Sequence, residues 1–405
     1  MKAAVIGALD IEHMGGGEGN AVMISKLLLD NGFQVKYFGS GCPVNNSENQ
    51  EPIDLGFEYE PSAFSHDIMA NPFILRTTRL LSLGLVGFIR FRKTLKKVHG
   101  YDIYYFQNPT YLVRKLVPIL LKQGSRVILA NHGTYFEYLG NSGFTLLRIL
   151  GKIATKFILD PLKPFRNSIL IHTQNGYQTS FYVKNGFPED RILEIPQHNV
   201  DMRMYGISPT EDSFHVAFLG RLTESKGLDL LPDIIHKSPD IIFHIVGNGP
   251  MKDRLKGSIV GGNVIFHGFV SEQEKRKILS QCDAIIIPSY FESLSIAAIE
   301  GLASGLPIIG SETAPGLRHI LRRNELFGNL VPRTAESFIA SLSDLKETKE
   351  KDPVSMLKYR FLRRDRAIEL FDHNKLTQKL SDMFERTLHI PSTKRPPELE
   401  MPVTG

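Results

Sequence analysis

The chain of 405 residues contains only two cysteines, Cys42 and Cys282, which lie far apart. Two distant cysteines exclude a scaffold built on disulfides, and neither has the nearby partner that a structural zinc site needs. The thiol content therefore suits a reducing compartment. The length exceeds that of one compact core, and a hydrophobic content of 42% is typical of folded domains, so we expect two α/β domains.

Long apolar runs are also missing. The longest uncharged apolar run near the middle, Leu80 to Ile89, is too short to cross a bilayer and lies between Arg79 and Arg90. Asp10 and Glu12 interrupt the apolar core that a signal peptide would need. We therefore predict a cytoplasmic protein without a transmembrane helix.

Charge is unevenly distributed. Residues 1–67 contain 3 Lys and Arg against 10 Asp and Glu, a net charge of −7, whereas residues 68–170 contain 16 against 3, a net charge of +13. A concentrated positive field favours binding of an anionic partner. Alternatively, the cations lie on helix faces that contact only solvent. Residues 73–98 combine apolar positions at roughly helical spacing with interspersed cations. They predict a helix that either lies on an anionic membrane, at the inner face of the cytoplasmic membrane, or packs on the N-terminal sheet.

Short β-branched runs alternate with longer amphipathic runs, which is typical of parallel βαβ units. Two such series predict an α/β architecture of two facing Rossmann-like, doubly wound domains, over residues 1–200 and 201–372, with a ligand cleft between them. A helix over 373–389 that packs back on the first domain and a disordered tail over 390–405 complete the prediction. The strand candidates are Ala3–Ala8, Gln34–Phe38, Asp102–Gln107, Arg126–Ala130, Ser168–Thr173, Ile192–Ile195, His215–Gly220, Ile241–Val246, Asn263–His267, Ala284–Ile287 and Pro307–Gly310.

Three motifs carry the chemistry. Gly15, Gly16 and Gly17 follow the first strand, where glycines let backbone amides approach a phosphate; a turn needed only for packing is the alternative. In FLGRLTESKGLDLL, Arg221 follows a strand and Lys226 is placed at a helix start, so both cations would neutralise a pyrophosphate in one cleft. A local ion pair of Arg221 and a solvated Lys226 are the alternative.

The third motif lies in CDAIIIPSYFESLSIAAIEGLASGLPIIGS, residues 282–311. Glu292 is predicted in a loop after a buried strand, and Glu300 in a helix that begins near Ser293. The two carboxylates would reach different hydroxyl-bearing groups of one ligand, while the amides of Leu294, Ser295 and Ile296 face its phosphates. Two unrelated surface glutamates are the alternative.

Four motifs follow one another along the chain: Gly220-Arg221 with Lys226-Gly227, IVGNGP at 245–250, HGFVS at 267–271 and Glu292-x7-Glu300. In this order they resemble the large retaining family called group 1 glycosyltransferases. The similarity extends to APGLRHIL at 314–321 and GNLVP at 328–332. It covers nearly the whole chain to about residue 389, and it implies the GT-B arrangement of two Rossmann-like domains. The resemblance implies transfer of a hexose or hexosamine from a nucleotide sugar, which is a substrate and not a cofactor, to a glycan or lipid-linked acceptor.

The resemblance also implies roles for individual residues. Arg221 and Lys226 would bind the donor pyrophosphate, Glu300 the ribose hydroxyls and Glu292 the transferred sugar. His132 would lie near the transferred sugar and the acceptor. The remaining donor-binding positions are the backbone around Asn248, Gly249, Phe269 and Val270 for the base, and Gly15, Gly16 and Gly17 for the phosphates.

No metal is expected, because family members generally need none and no Asp-x-Asp pair is present. Departures from the family pattern are Ser293 and Ser295, where small glycines are usual, and His319, where an acidic residue is usual; they leave the donor sugar open. A nucleotide-sugar epimerase on the same fold is one alternative. A nucleic-acid-binding protein is another, although the sequence has no helix-turn-helix signal.

Overall fold

The structure, a computed structural model, describes residues 1–6, 16–39, 58–61, 98–107, 111–132, 145–196, 198–208, 212–259 and 261–390. The chain divides into two compact units. The N-terminal unit comprises residues 1–195 and the segment from Thr377 onwards, and the C-terminal unit comprises residues 196–376. The boundaries expected after residues 200 and 372 lie a few residues from these divisions.

The N-terminal unit is built on a parallel sheet of seven strands in the order β3-β2-β1-β4-β5-β6-β7. The strands are β1 Lys2–Ile6, β2 Gln34–Gly39, β3 Glu58–Pro61, β4 Ile103–Phe106, β5 Arg126–Asn131, β6 Ile169–Thr173 and β7 Ile192–Glu194. The central strands are buried along their whole length, as expected where helices cover both faces of a sheet. The helices among the described residues before 195 are α1 Gly16–Asp30, α2 Tyr111–Lys122, α3 Thr145–Leu159 and α4 Gly176–Lys184.

The C-terminal unit has a parallel sheet of six strands in the order β10-β9-β8-β11-β12-β13. The strands are β8 Phe214–Leu219, β9 Ile241–Val246, β10 Val264–Gly268, β11 Ala284–Ile287, β12 Ile308–Ser311 and β13 Gly328–Val331. In β8, Phe214, Val216 and Phe218 face one core cluster and Ala217 faces the other. The first strand of the series, β8, lies between β9 and β11, so the winding direction reverses there, which is the usual ligand site of such sheets.

Seven helices cover this second sheet. They are α5 Leu231–His236, α6 Lys252–Ser258, α7 Glu272–Gln281, α8 Ile296–Ala303, α9 Pro315–Leu321, α10 Ala335–Lys351 and α11 Pro353–Leu370. Ser271 and Glu274 form a reciprocal capping box that starts α7. Arg360 on α11 is buried and donates to the carbonyl oxygens of Ser280 and Ser304 at 3.0 and 3.2 Å, which fixes α11 to this unit.

The last described helix, α12, spans His373–Leu388. From Thr377 onwards it belongs to the N-terminal unit. Its Phe384 ring lies 6.1 Å from the ring of Tyr105 on β4, and Asn31 donates to Ser381 at 3.2 Å. These contacts attach the second part of α12 to the N-terminal unit.

Each predicted strand overlaps a strand of the structure, so the two parallel series are confirmed. Strands β3 and β13 were not predicted. Both lie at a sheet edge and lack a β-branched run, since β3 reads EYEP and β13 reads GNLV.

Several expectations fall on residues outside those described. They concern Gly15, the tail from residue 391 and nearly all of residues 73–98, of which only Val98 is described; it is buried in the N-terminal core. Within the described ranges, no helix combines the length and the apolar character needed to cross a membrane.

Candidate functional site

The predicted phosphate ligands and the first predicted carboxylate follow β8 and β11, the two strands at which the C-terminal sheet reverses. Arg221 is exposed just after the end of β8, and Lys226 ends the short 3₁₀ turn Glu224–Lys226. Glu292 is buried in the loop after β11. The carboxyl ends of neighbouring parallel strands therefore bring these residues to one edge of the sheet.

Lys226 and Glu292 are in direct contact. The Lys226 Nζ atom lies 2.7 Å from Glu292 Oε1, and the Ser289 hydroxyl donates to the same oxygen at 2.7 Å. The ammonium is partly exposed, whereas the carboxylate is buried. The structure thus joins a residue predicted to hold phosphate with one predicted to hold the sugar, a link that sequence spacing did not reveal.

The expectation that Lys226 stands at the start of a helix is wrong. Its 3₁₀ turn is ended by Gly227 in the left-handed conformation, with φ of +76°, and α5 begins only at Leu231. A Cβ atom at Gly227 would lie 2.1 Å from the carbonyl oxygen of Pro288. The turn therefore packs backbone against backbone on the end of β11, and this close approach carries Lys226 to Glu292.

A stacked arginine holds the same two loops together. The guanidinium carbon of Arg333 lies 3.3 Å from the ring centroid of Tyr290, and its Nε donates to Pro288 O at 3.0 Å. Asp229 accepts from Arg333 at 2.5 Å and from the Tyr290 hydroxyl at 3.2 Å. Sequence analysis did not single out Arg333, because one arginine after a strand gives no signal of its partners.

Helix α8 begins at Ile296, so the prediction of a helix start near Ser293 is wrong. Ser295 precedes the helix with φ of +70°, and among the described residues it is the only non-glycine with positive φ. A β-carbon in this conformation costs about 1–3 kcal/mol, which explains why glycine is usual here in the family that the sequence resembles. Leu294 and Ser295 are buried before the helix, and only Ile296 opens its first turn.

Glu300 on α8 lies in a buried polar cluster. Its Oε1 atom is 2.5 Å from Lys275 Nζ on α7 and accepts from the Tyr205 hydroxyl at 3.1 Å. Within the described part of the chain, both contacts fall on Oε1 and neither falls on Oε2. Burial raises the pKa of Glu300 above its usual value, and the Lys275 ammonium opposes that rise. Sequence analysis missed Lys275 and Tyr205, since neither has a spacing that links it to Glu300.

The residues expected around the base follow β9 and β10. The carbonyl of Asn248 accepts from the Leu222 amide at 2.8 Å, which ties the loop after β9 to the loop after β8. A Cβ at Gly249 would lie 2.5 Å from Leu222 O, so the close approach requires glycine. Phe269 is 75% exposed directly after β10, whereas Val270 packs against the core. An exposed ring beside these loops is suited to stacking on a planar base.

His132 lies in the N-terminal unit, directly after β5, within a chain of hydrogen bonds. Gln174 Nε2 donates to His132 Nδ1 at 3.1 Å, and His132 Nε2 lies 3.3 Å from the Tyr105 hydroxyl. That hydroxyl lies 3.0 Å from His172 Nδ1, and His172 Nε2 donates to the Ile195 carbonyl at 2.8 Å. The amide fixes the proton on Nε2 of His132, so the bonds run in one direction.

Burial and the neighbouring His172 lower the pKa of His132 to about 3. The ring is therefore neutral near pH 7, with both nitrogens hydrogen-bonded inside the N-terminal unit. Such an imidazole is better suited to contacting and positioning a ligand than to accepting a proton.

The glycine turn that was expected to approach the phosphates is described only in part. Gly16 and Gly17 form the first residues of α1, and Gly15 lies outside the described residues.

Part of the chain matches a known protein family. Residues 207–359 match the family model described as glycosyl transferases group 1. The matched range contains Arg221, Lys226, Glu292 and Glu300, and it comprises most of the C-terminal unit.

Curated relatives align mainly over part of their length. A sulfoquinovosyl transferase of Arabidopsis thaliana is 28% identical over 209 residues, which cover 52% of this chain and 40% of that protein. A phosphatidyl-myo-inositol mannosyltransferase of Mycobacterium tuberculosis is 31% identical over 153 residues, 35% of this chain and 39% of that protein. An uncharacterized glycosyltransferase of Methanocaldococcus jannaschii is 32% identical over 124 residues, 29% of this chain and 31% of that protein. The matches thus span less than half of each relative.

Solved structures match over almost the whole chain. HepE of Anabaena, solved in complex with UDP and glucose, superposes with a TM-score of 0.69 at 15% identity, covering 95% of this chain and 99% of that one. The sucrose-phosphate synthase of Thermosynechococcus elongatus gives a TM-score of 0.70 at 16% identity, covering 96% and 99%. At such identities the likeness concerns the fold alone, and it confirms the predicted GT-B class of two Rossmann-like domains.

Proposed function

We infer that this chain, which matches the family model of glycosyl transferases group 1 over residues 207–359, transfers a glycosyl group from a nucleotide sugar to an acceptor hydroxyl. The observation that carries the proposal is the contact of Lys226 with Glu292 at the reversal point of the C-terminal sheet. A cation and a carboxylate held together at this edge suit a ligand with a diphosphate next to a sugar.

In the proposed reaction the bond between the anomeric carbon and the diphosphate oxygen breaks, and negative charge grows on that oxygen. The Lys226 ammonium and the Arg221 guanidinium stabilise this charge as it develops. Glu292, buried and bonded to Lys226 and Ser289, accepts from hydroxyl groups of the transferred sugar. Donor binding thus uses a cation whose position the carboxylate already fixes.

The nucleoside part of the donor lies toward Glu300 and Phe269 in this proposal. Lys275 and Tyr205 contact Oε1 of Glu300, and Oε2 accepts from the ribose hydroxyls. The exposed ring of Phe269 stacks on the base, and the backbone of Asn248 and Gly249 lines the same pocket. Asn248, Gly249 and Phe269 each follow a strand at the carboxyl edge of the C-terminal sheet.

We propose retention of anomeric configuration without a metal ion. The acceptor hydroxyl attacks the face from which the diphosphate leaves, and its proton passes to the departing phosphate oxygen. One bond to the anomeric carbon breaks, another forms on the same face, and the nucleoside diphosphate leaves with the proton. Neutral His132 contacts the transferred sugar or the acceptor and takes up no proton in this scheme.

The acceptor class comes from the relatives. Two of them carry names that refer to a sulfoquinovosyl group and to phosphatidyl-myo-inositol. We propose a lipid-linked or glycan acceptor at a membrane surface for this chain, with UDP sugars as the first donors to test, because HepE was solved with UDP and glucose.

The experiment measures release of nucleoside diphosphate from UDP, GDP and ADP sugars, with and without vesicles that contain candidate lipid acceptors. We expect release with one donor class that depends on acceptor, and a product that keeps the anomeric configuration by NMR. The Lys226→Ala variant should lose the release. A free epimerised sugar, formed without any acceptor, would instead establish an epimerase. Absence of release with every donor, or binding of nucleic acid alone, would overturn the proposal.

A further inference from the structure

Helix α3 is attached to the N-terminal unit by one face. Gly151, Thr155 and Leu159 are buried at every fourth position, and the helix contacts α2 and the 3₁₀ segment Asp160–Ser168. Leu159 belongs to the N-terminal core. Because an α-helix has 3.6 residues per turn, residues two positions earlier point in the opposite direction.

Those opposite positions are Ile149, Ile153 and Phe157, and all three are exposed. Ile149 is 50% exposed, Ile153 59% and Phe157 48%. They form a row that spans about two turns and is about 12 Å long. A single exposed apolar side chain is ordinary on a protein surface, but an aligned row of large ones indicates a surface that meets another apolar phase.

The surroundings of this row are cationic. Helix α3 contains no Asp or Glu, and Lys152 and Lys156 are exposed beside the row. The guanidinium carbon of Arg114, on α2, lies 3.7 Å from the ring centroid of Phe157. Helix α2 also lacks acidic residues. The row and its cations together form an apolar stripe with a positive border.

We propose that this stripe, Ile149, Ile153 and Phe157 bordered by Lys152, Lys156 and Arg114, docks on an anionic lipid bilayer. A second copy of the chain would bring the same cations face to face, which opposes self-association through this surface. A nucleic acid would pair with the cations but would place phosphates against isoleucine and phenylalanine. A bilayer accepts the apolar side chains below the headgroups while the long cationic side chains reach the headgroups.

This inference goes beyond glycosyl transfer and does not depend on it. The surface belongs to the basic region of residues 68–170, yet it lies outside the stretch 73–98 that sequence spacing indicated. A docked α3 would hold the N-terminal unit at the membrane, where a lipid-linked acceptor would be found.

Vesicle flotation tests the proposal on the full chain at low salt. The vesicles contain either phosphatidylcholine alone or phosphatidylcholine with an equal part of phosphatidylglycerol. We expect the protein to float with the anionic vesicles and to be released as salt is raised. The double variant Ile153→Ser/Phe157→Ser should lower the partition coefficient about tenfold or more. The variant Lys152→Gln/Lys156→Gln should lower it about tenfold or more at low salt and flatten the salt dependence.

Helix α11 offers a matched control, because Val354 and Phe361 are 76% and 48% exposed there. Val354→Ser/Phe361→Ser should float like the wild type. Flotation absent with anionic vesicles at low salt, full flotation of Ile153→Ser/Phe157→Ser, or equal loss in the α11 control would overturn the proposal. So would a stripe variant that abolishes a dimer in size-exclusion chromatography without changing flotation. Nucleoside diphosphate release with a detergent-solubilised acceptor in place of vesicles is measured separately and should persist in the stripe variants, so failure of docking and failure of the transferase proposal are distinguishable.

Discussion

Lys226 Nζ lies 2.7 Å from Glu292 Oε1, although 66 positions separate the two residues in the chain. The contact arises because β8 and β11 are neighbours in the C-terminal sheet and the residues follow their carboxyl ends. A diphosphate that enters this site meets an ammonium already positioned by a buried carboxylate. The energy needed to place the cation is therefore spent on folding and not on binding.

Replacement of Lys226 or Arg221 by alanine should lower kcat/KM on the order of 10²–10³-fold, the usual effect of losing one preorganised charge stabiliser. Folding should survive, since Arg221 is exposed and Lys226 is partly exposed. Steady-state kinetics with the identified donor measure the effect. Lys237→Ala is the matched control, because Lys237 forms an exposed pair with Glu336 at 3.2 Å. This variant should have the kcat/KM of the wild type. Wild-type rates for both Lys226→Ala and Arg221→Ala would refute the assignment.

Glu292→Gln and Glu300→Gln should have different kinetic effects. Glu292 is proposed to contact the reacting sugar, so its replacement should mainly lower kcat. Glu300 is proposed to hold the ribose, whose contacts change little in the transition state, so its replacement should mainly raise KM for the donor. Initial rates over a range of donor concentrations separate the two constants. The same change of both constants in the two variants would favour a shared structural role.

Most of the fold follows from sequence because buried parallel strands are continuous apolar runs. AIII of β11 and IIFHIV of β9 leave little choice of element. Edge strands give no such signal, as EYEP of β3 illustrates. The positions proposed for donor binding could be selected from the sequence because they follow strands in a known order. Their partners were not, since Lys275 meets Glu300 only through the packing of α7 beside α8.

The helix starts were the weakest part of the sequence prediction, for a local reason. Ser295 is in a left-handed conformation that delays α8 to Ile296, and neither serine chemistry nor periodicity indicates positive φ. Gly227 gives a similar delay between Lys226 and α5. In both places tertiary contacts at strand ends override the preference of the local sequence.

Turnover should persist in excess EDTA. The predicted ligands of the diphosphate are Arg221, Lys226 and backbone amides, which stabilise the leaving charge without a cation. Rates before and after chelation, with a metal-dependent glycosyltransferase as the positive control for chelator, measure this. Loss of activity that Mn²⁺ or Mg²⁺ restores would show that a metal ion carries the leaving group.

Acid should destabilise the fold between about pH 6.5 and pH 4. Among the described residues, burial lowers the pKa of six histidines: to about 3 for His132, to about 4 for His172, His198, His244 and His319, and below its usual value for His267. The unfolded chain then takes up protons first as the pH falls below about 6.5, so unfolding is favoured until the folded pKa values are reached. Thermal unfolding midpoints at pH 7.5, 6 and 5 should fall progressively.

The contribution of a single histidine to this acid sensitivity can be tested at His244. It bridges His215 and His267 with ring nitrogens 2.9 Å from each, across β8, β9 and β10. His244→Gln removes one titrating ring, so it should reduce the pH dependence of the unfolding free energy by up to about one proton. An unchanged pH dependence in this variant would place the acid sensitivity elsewhere.

Gly227 supports the site through its lack of a side chain, and a matched glycine allows a quantitative test. Gly227 and Gly268 have φ of +76° and +72°, but only Gly227 meets another atom, with Pro288 O at 2.1 Å from a built Cβ and nothing within 4 Å at Gly268. Gly268→Ala should cost only the left-handed backbone, about 1–2 kcal/mol, or a few degrees in the melting temperature. Gly227→Ala has the same backbone cost and also displaces the end of β11, so its loss of unfolding free energy should be at least twice as large. Differential scanning calorimetry of both variants measures the difference. Equal losses would mean that the turn yields freely, and that the close packing of Gly227 on Pro288 does not hold Lys226 at Glu292.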